Sequence, residues 1–167
     1  LLSRVLSLGG ALLIVEKGFL DLNGNYFRCT GDVTINNGGL IAIDGGAWLE
    51  VGSGRSLTVN TGATLSIIGV LVNPARVTHH AGNYNFNVES GGTLSAEYAT
   101  FEYMSTNGVH VKNGATLDPD HALNYCTFTR GPSSATLLRV DNNQNLTING
   151  AQFPLNPGGA GAANVRK

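Results

Sequence analysis

Residues 33–67 read VTINNGGL, IAIDGGAW, LEVGSGRS, LTVNTGAT and then LSI, a strict repeat of eight. The first position of each octad holds Val33, Ile41, Leu49, Leu57 and Leu65, and the third holds Ile35, Ile43, Val51, Val59 and Ile67. Apolar residues two apart share one face of a short strand, whereas an amphipathic helix needs spacings of three and four. Gly38, Gly46, Gly54 and Gly62 fall at position six, where a residue without Cβ turns a corner at positive φ. Strands of about three residues with corners of constant length favour a solenoid over a meander, because hairpins join longer strands through two-residue loops.

The second half of the chain repeats on a longer unit. FNVESGGTLSAEYATF (86–101), VHVKNGATLDPDHALNYCTF (109–128) and LRVDNNQNLTINGAQF (138–153) align with few gaps. Val88, Val111 and Val140 correspond, as do Leu94, Leu117 and Leu146, and then Phe101, Phe128 and Phe153. Three octads make one such interval, so both halves predict an all-β parallel β-helix with about 24 residues and three short strands per coil. Six or seven coils at the strand spacing give a rod on the order of 30 Å long. Stacking at this period pairs Val33 with Leu57, Ile35 with Val59, Ile41 with Leu65 and Ile43 with Ile67. It also builds a parallel column of Phe101, Phe128 and Phe153, beside a rung of Ala99, Cys126 and Ala151. Segments 69–83 and 129–136 interrupt the register and are expected to protrude as loops. Residues 1–153 read as one β-helix domain, with 1–11 a cap or a preceding coil, and the Pro/Gly-rich 154–167 as an exit segment or linker to further chain.

Composition narrows the function classes. Charged residues supply 13% of the 167 positions, aromatics 7%, glycine 23 residues, and the net charge is −1. No apolar run approaches the length of a spanning helix, so no membrane insertion is expected. The absence of a basic stripe argues against nucleic acid. The sequence lacks the spacing of a zinc site, and a rod keeps Cys29 and Cys126 on distant coils, which predicts buried thiols rather than a disulfide. No metal and no cofactor is expected.

The run LDLNGNYFRCTGDVTINNGGLIAIDGGAWLEVGSGRSLTVNTGATLSIIG, with the NGG, SGG and NGATL corners and the NYCTF rung, resembles β-helix repeat regions of very large secreted surface proteins of Bacteroidetes-type bacteria, often delivered by type IX secretion. The likeness covers roughly residues 12–153 and is one of style rather than of catalytic signature. It implies a right-handed, pectin-lyase-like solenoid serving as stalk, scaffold or adhesive surface, secreted or displayed on the cell. Its partners would be glycans, neighbouring domains or copies of the same protein.

The same fold hosts polysaccharide-active enzymes, so an enzyme reading has to rest on a site. A calcium-dependent lyase needs stacked carboxylates and a basic residue. The nearest approach is Asp118, Asp120 and His121, with Arg130 and Glu97 one rung away, although DPDHA also has the composition of an ordinary turn. Glu97 and Glu102, flanking the apolar YATF segment, are expected to point to solvent. His79 and His80 read as loop residues, and His110 as an outward residue without a carboxylate at ligand spacing. The aromatics Trp48, Tyr84, Tyr98, Tyr103 and Tyr125 exceed the needs of a core. Tyr98 and Tyr125 share a rung position and point outward as a stacked pair, with Tyr103 nearby, a face suited either to sugar rings or to a neighbouring domain. The outward series Thr34, Ala42, Glu50, Thr58 and Ser66 is too irregular for an ice-binding lattice. The expectation is therefore a non-catalytic structural or adhesive segment, with a polysaccharide lyase or hydrolase, or a carbohydrate-binding β-helix, as alternatives.

Overall fold

A computed structural model describes residues 5–154 and 163–167. Its described residues hold strands and no helix. In chain order the strands are β1 (Val5–Leu8), β2 (Leu12–Ile14), β3 (Phe19–Asp21), β4 (Tyr26–Cys29), β5 (Val33–Ile35), β6 (Leu40–Asp44), β7 (Trp48–Gly52), β8 (Ser56–Val59) and β9 (Thr64–Ile68). They continue as β10 (Ala75–His80), β11 (Tyr84–Val88), β12 (Thr93–Glu97), β13 (Ala99–Glu102), β14 (Met104–Val111), β15 (Thr116–Asn124), β16 (Thr127–Thr129), β17 (Thr136–Val140) and β18 (Ala163–Arg166). Every third strand joins the same sheet. Sheet 1 runs β1-β4-β7-β10-β13-β16, sheet 2 runs β2-β5-β8-β11-β14-β17-β18, and sheet 3 runs β3-β6-β9-β12-β15. All strand pairings are parallel, so the chain winds one way through about six coils.

The octads set this register. Each supplies one strand, β5 to β9, and the stacking across 24 residues is as the spacing dictates: Val33 over Leu57, Ile35 over Val59, Ile41 over Leu65, Ile43 over Ile67. All eight side chains are fully buried. The glycine corners stack as well. Gly38, Gly62, Gly91 and Gly114 have φ between 71° and 77°. They form a continuous column in which each donates its N–H to the carbonyl of the next, at 2.8–2.9 Å. An L side chain here would both strain the backbone and strike the corner below, which is why the repeat keeps glycine at this position.

Val88, Val111 and Val140 align across β11, β14 and β17, and Leu94 aligns with Leu117. The aromatic column is present: Phe101 and Phe128 lie 5.1 Å apart at 12°, and Phe128 and Phe153 5.3 Å apart at 15°. Cys29 and Cys126 are buried free thiols. Burial pushes the Cys126 thiol up to about 12, against the smaller opposing effect of its backbone hydrogen bond.

Four sequence expectations need correction. Segment 69–83 is mostly β10, and only the turn around 69–74 protrudes, so His79 and His80 end a strand rather than sit in a loop. Tyr84 is fully buried on the inward parity of β11, its hydroxyl donating to the Val77 carbonyl at 3.3 Å. Glu102 does not face open solvent, because Arg76 and Arg130 flank it at 3.7 and 3.5 Å. The rung expected around Leu146 is not a strand. There the Gln144 amide pairs with Leu117 of β15, accepting its N–H at 2.6 Å and donating to its carbonyl at 3.0 Å. Gln144 thus takes the place of a peptide group at the last rung of sheet 3. At the two ends of the chain, Val5–Leu8 pairs with β4 as a rung of sheet 1, and Ala163–Arg166 adds a rung to sheet 2.

Candidate functional site

Polar side chains on the outer faces are tied to the coil above or below. Arg28 Nε meets Glu50 at 2.6 Å, Lys112 Nζ meets Glu89 at 2.6 Å, and Asn60 donates to Asn36 at 2.7 Å. Each pair spans 22 to 24 residues, one turn of the solenoid.

The weak catalytic candidates fall into this pattern. Asp118 Oδ2 accepts from the Ser95 hydroxyl at 2.9 Å on the preceding coil, while its Oδ1 accepts the Asp120 N–H at 3.1 Å. DPDHA is not the turn its composition suggests but lies within β15, where the pairing with β12 shifts register. Asp120 is exposed. His121 Nδ1 lies 2.7 Å from Glu97. Arg130 is engaged elsewhere, donating to the Tyr103 hydroxyl at 2.8 Å and lying beside Glu102 on sheet 1. The Asp118–Asp120 segment and Arg130 are therefore bound into separate contacts. His110, contrary to expectation, has a carboxylate partner: its Nε2 is 2.9 Å from Asp141 Oδ2. Hydrogen bonds from Arg139 and His110 hold the Asp141 carboxyl below its ordinary value.

Sequence reading missed a cluster on the outer face of sheet 1. Glu50, buried among its neighbours, takes hydrogen bonds from the Tyr26 hydroxyl and Arg28, with His80 Nδ1 at 3.7 Å. Desolvation raises its carboxyl above the ordinary value, partly offset by the nearby His80. Trp48 packs between Tyr26, with centroids 5.5 Å apart, and Arg76, whose guanidinium lies 4.1 Å from the ring centre. These residues are 22 to 30 positions apart, so only the coil register reveals the cluster. Its one carboxylate, Glu50, is committed to the ion pair with Arg28.

The tyrosines form two columns, one at each end of the short β13 and β16 strands. Tyr98 and Tyr125 precede these strands and stack at 4.8 Å and 9°. Tyr103 follows β13 and belongs to the other column, stacked on His79 at 3.6 Å and capped by Arg130. Tyr103 therefore does not extend the Tyr98–Tyr125 pair. Tyr98, Tyr103 and Tyr125 all have left-handed backbone, at φ 45°, 59° and 54°. The next position in the Tyr98–Tyr125 column is Gly150 at φ 63°, its backbone approaching the Cδ1–Cε1 side of the Tyr125 ring. Gly150 makes the turn without strain. A tyrosine there costs about 1–2 kcal/mol in backbone energy, whereas a stacked aromatic pair returns about 0.5–1.5 kcal/mol. Two such residues share one stacked pair, so the strain of about 2–4 kcal/mol exceeds the return, and stacking alone does not account for the tyrosines.

Beside this column lies a cavity of about 260 Å³. The turn of Val70, Leu71 and Pro74 occupies the same corner one coil before Tyr98 and bounds the cavity at one axial end, Tyr98 and Tyr125 line its flank, and Thr100, Thr127 and Gln152 complete the lining. The turn is closed by paired backbone bonds between Val70 and Asn73 and projects Leu71 and Val72, which are 78% and 90% exposed. Most other exposed large apolar residues belong to the first coil, where Leu6, Leu13 and Phe19 lie at an end of the solenoid. The patch beside the tyrosines lies on the flank.

No family model, no curated protein and no solved structure matches the chain.

Proposed function

We propose that this chain is a non-catalytic β-helical segment of a secreted or surface-displayed protein, supplying stiff length and lateral adhesive area. The observation that carries the reading is how the polar side chains are used. Those that an enzyme of this architecture would aim at a substrate are joined coil to coil, as in Arg28–Glu50, Ser95–Asp118, Glu89–Lys112 and Glu97–His121. Such ties run along the axis, the direction in which tension would separate coils. The parallel ladder beneath them supplies backbone hydrogen bonds at every rung, and the core stacks like side chains on like. Secretion and surface display rest on the sequence resemblance alone.

Single-molecule pulling between the termini tests the mechanical half. Coil-by-coil release should give contour increments of about 80 Å, from roughly 24 residues at the extended-chain length. Collapse in one event at low force would contradict a load-bearing rod. The enzyme reading is tested by incubation with polygalacturonate and calcium. Turnover abolished by Asp118→Ala or Asp120→Ala would replace the passive role with a lyase.

A further inference from the structure

The geometry points to the cavity along the Tyr98–Tyr125 column, closed at one axial end by the Val70–Pro74 turn, as a binding trough for an uncharged glycan chain lying along the solenoid axis. The inference rests on the adhesive half of the reading above and gives it a ligand class and a place. The walls are apolar or aromatic, the floor is Thr100, Thr127 and Gln152, and no charged side chain lines the cavity. A few convergent hydroxyl and amide groups on an otherwise apolar surface suit a ligand with alternating CH and OH patches.

Charge separates this occupant from others. A nucleic acid or an acidic polysaccharide needs several free cations; the lining offers none, and Arg76, the register partner of Thr100 on the next rung, is held over the Trp48 ring and beside Glu102. A peptide that binds by strand addition needs an open sheet edge. Here β13 lies inside sheet 1, paired with β10 on one side and β16 on the other, so its backbone is already used. What remains available is side-chain chemistry repeated along the axis. Thr100 and Thr127 are direct register partners, and Thr127 in turn pairs with Gln152. The floor therefore repeats along the axis at the strand spacing of about 4.8 Å.

The tyrosines act as a wall rather than as a platform. Tyr98 and Tyr125 cover one face of each other, and the backbone at Gly150 approaches the Cδ1–Cε1 side of the Tyr125 ring. Tyr125 nonetheless remains 47% exposed. Leu71 projects at one end of the trough and limits how a chain enters.

The test is an amide NMR titration of the 15N-labelled protein with cellohexaose and xylohexaose, with trigalacturonate as the charged comparison. Neutral hexasaccharide should move the Thr100, Thr127 and Gln152 resonances with a Kd in the range of about 0.1–5 mM. The double variant Tyr98→Gly/Tyr125→Gly keeps the left-handed corner available to glycine and should retain the fold. Its affinity should fall tenfold or more, while Thr58→Ala on sheet 2 changes nothing. Absence of shifts up to ~10 mM, a preference for trigalacturonate, or equal binding by the double variant would overturn the assignment. So would concentration-dependent self-association that Leu71→Ser/Val72→Ser abolishes, which would make the flank an interface between copies. None of these outcomes alters the pulling measurement, so the rod and the trough stand or fall separately.

Discussion

Replacing Phe128 with alanine probes the axial packing most directly. Phe128 is fully buried in the middle of a three-ring column, with Phe101 at 5.1 Å on one side and Phe153 at 5.3 Å on the other. Truncating a buried phenylalanine costs about 3–5 kcal/mol, including the cavity left behind. Two stacked contacts vanish together, which places this site toward the upper end, near ~4–5 kcal/mol. For a chain of this size each kcal/mol lowers Tm by about 2–4 °C, giving a fall of roughly 8–20 °C. Urea unfolding followed by far-UV circular dichroism measures the cost, with an unchanged m value as the check on comparable states. Position along the column supplies an internal control. Phe153 is only partly buried and stacks on one ring, so Phe153→Ala should cost less than half as much. Equal losses at the two positions, or less than ~1.5 kcal/mol at Phe128, would refute axial stacking as a main source of stability.

Gly62→Ala should cost at least about 1–2 kcal/mol, because φ is +71° and the new Cβ meets the Asn37 side chain; chemical denaturation would read it. Asp141→Asn should change the acid limb of stability. The folded carboxyl titrates below its ordinary 3.8, so its contribution is present above that value and fades as pH falls through the lower folded value. The variant should therefore be less stable at neutral pH and show a flatter dependence below pH 3.8, as measured by unfolding across pH. Cys126, buried with its thiol raised to about 12, should react with a thiol reagent only as fast as the coil opens. Gln144→Ala leaves the Leu117 N–H and carbonyl without their side-chain partner, a loss of about 1–3 kcal/mol visible as faster hydrogen exchange at Leu117.

The core was legible because its rule is local. Alternating aliphatics with a glycine every eighth residue specify strand, corner and period together, and the 24-residue pairing of Ile41 with Leu65 follows by arithmetic. Tyr84 was also within reach, since it shares the parity of Phe86 and Val88 and is buried with them. Contacts depending on variable coil lengths were not legible. Successive intervals on sheet 2 are 24, 29, 23 and 29 residues, measured at Val33, Leu57, Phe86, Val109 and Leu138. Hence the partner of His110 falls 31 positions away at Asp141, outside any fixed spacing. The stacking of Tyr98 on Tyr125 was readable from the aligned EYATF and NYCTF segments. The allegiance of Tyr103 to His79 was not, because it depends on where β10 ends.

The Gln144 clamp has a bearing on how such a molecule avoids recruiting its neighbours. A parallel sheet that stops abruptly presents a template, and any extended segment with a free row of amides can prolong it, as happens in cross-β deposits. One side-chain amide carries both the donor and the acceptor that an incoming strand would require. By occupying Leu117 it closes that register to newcomers with a single residue. A glutamine at this position thus blocks strand addition at Leu117, and its loss would be felt first in a crowded solution, as seeded fibril growth.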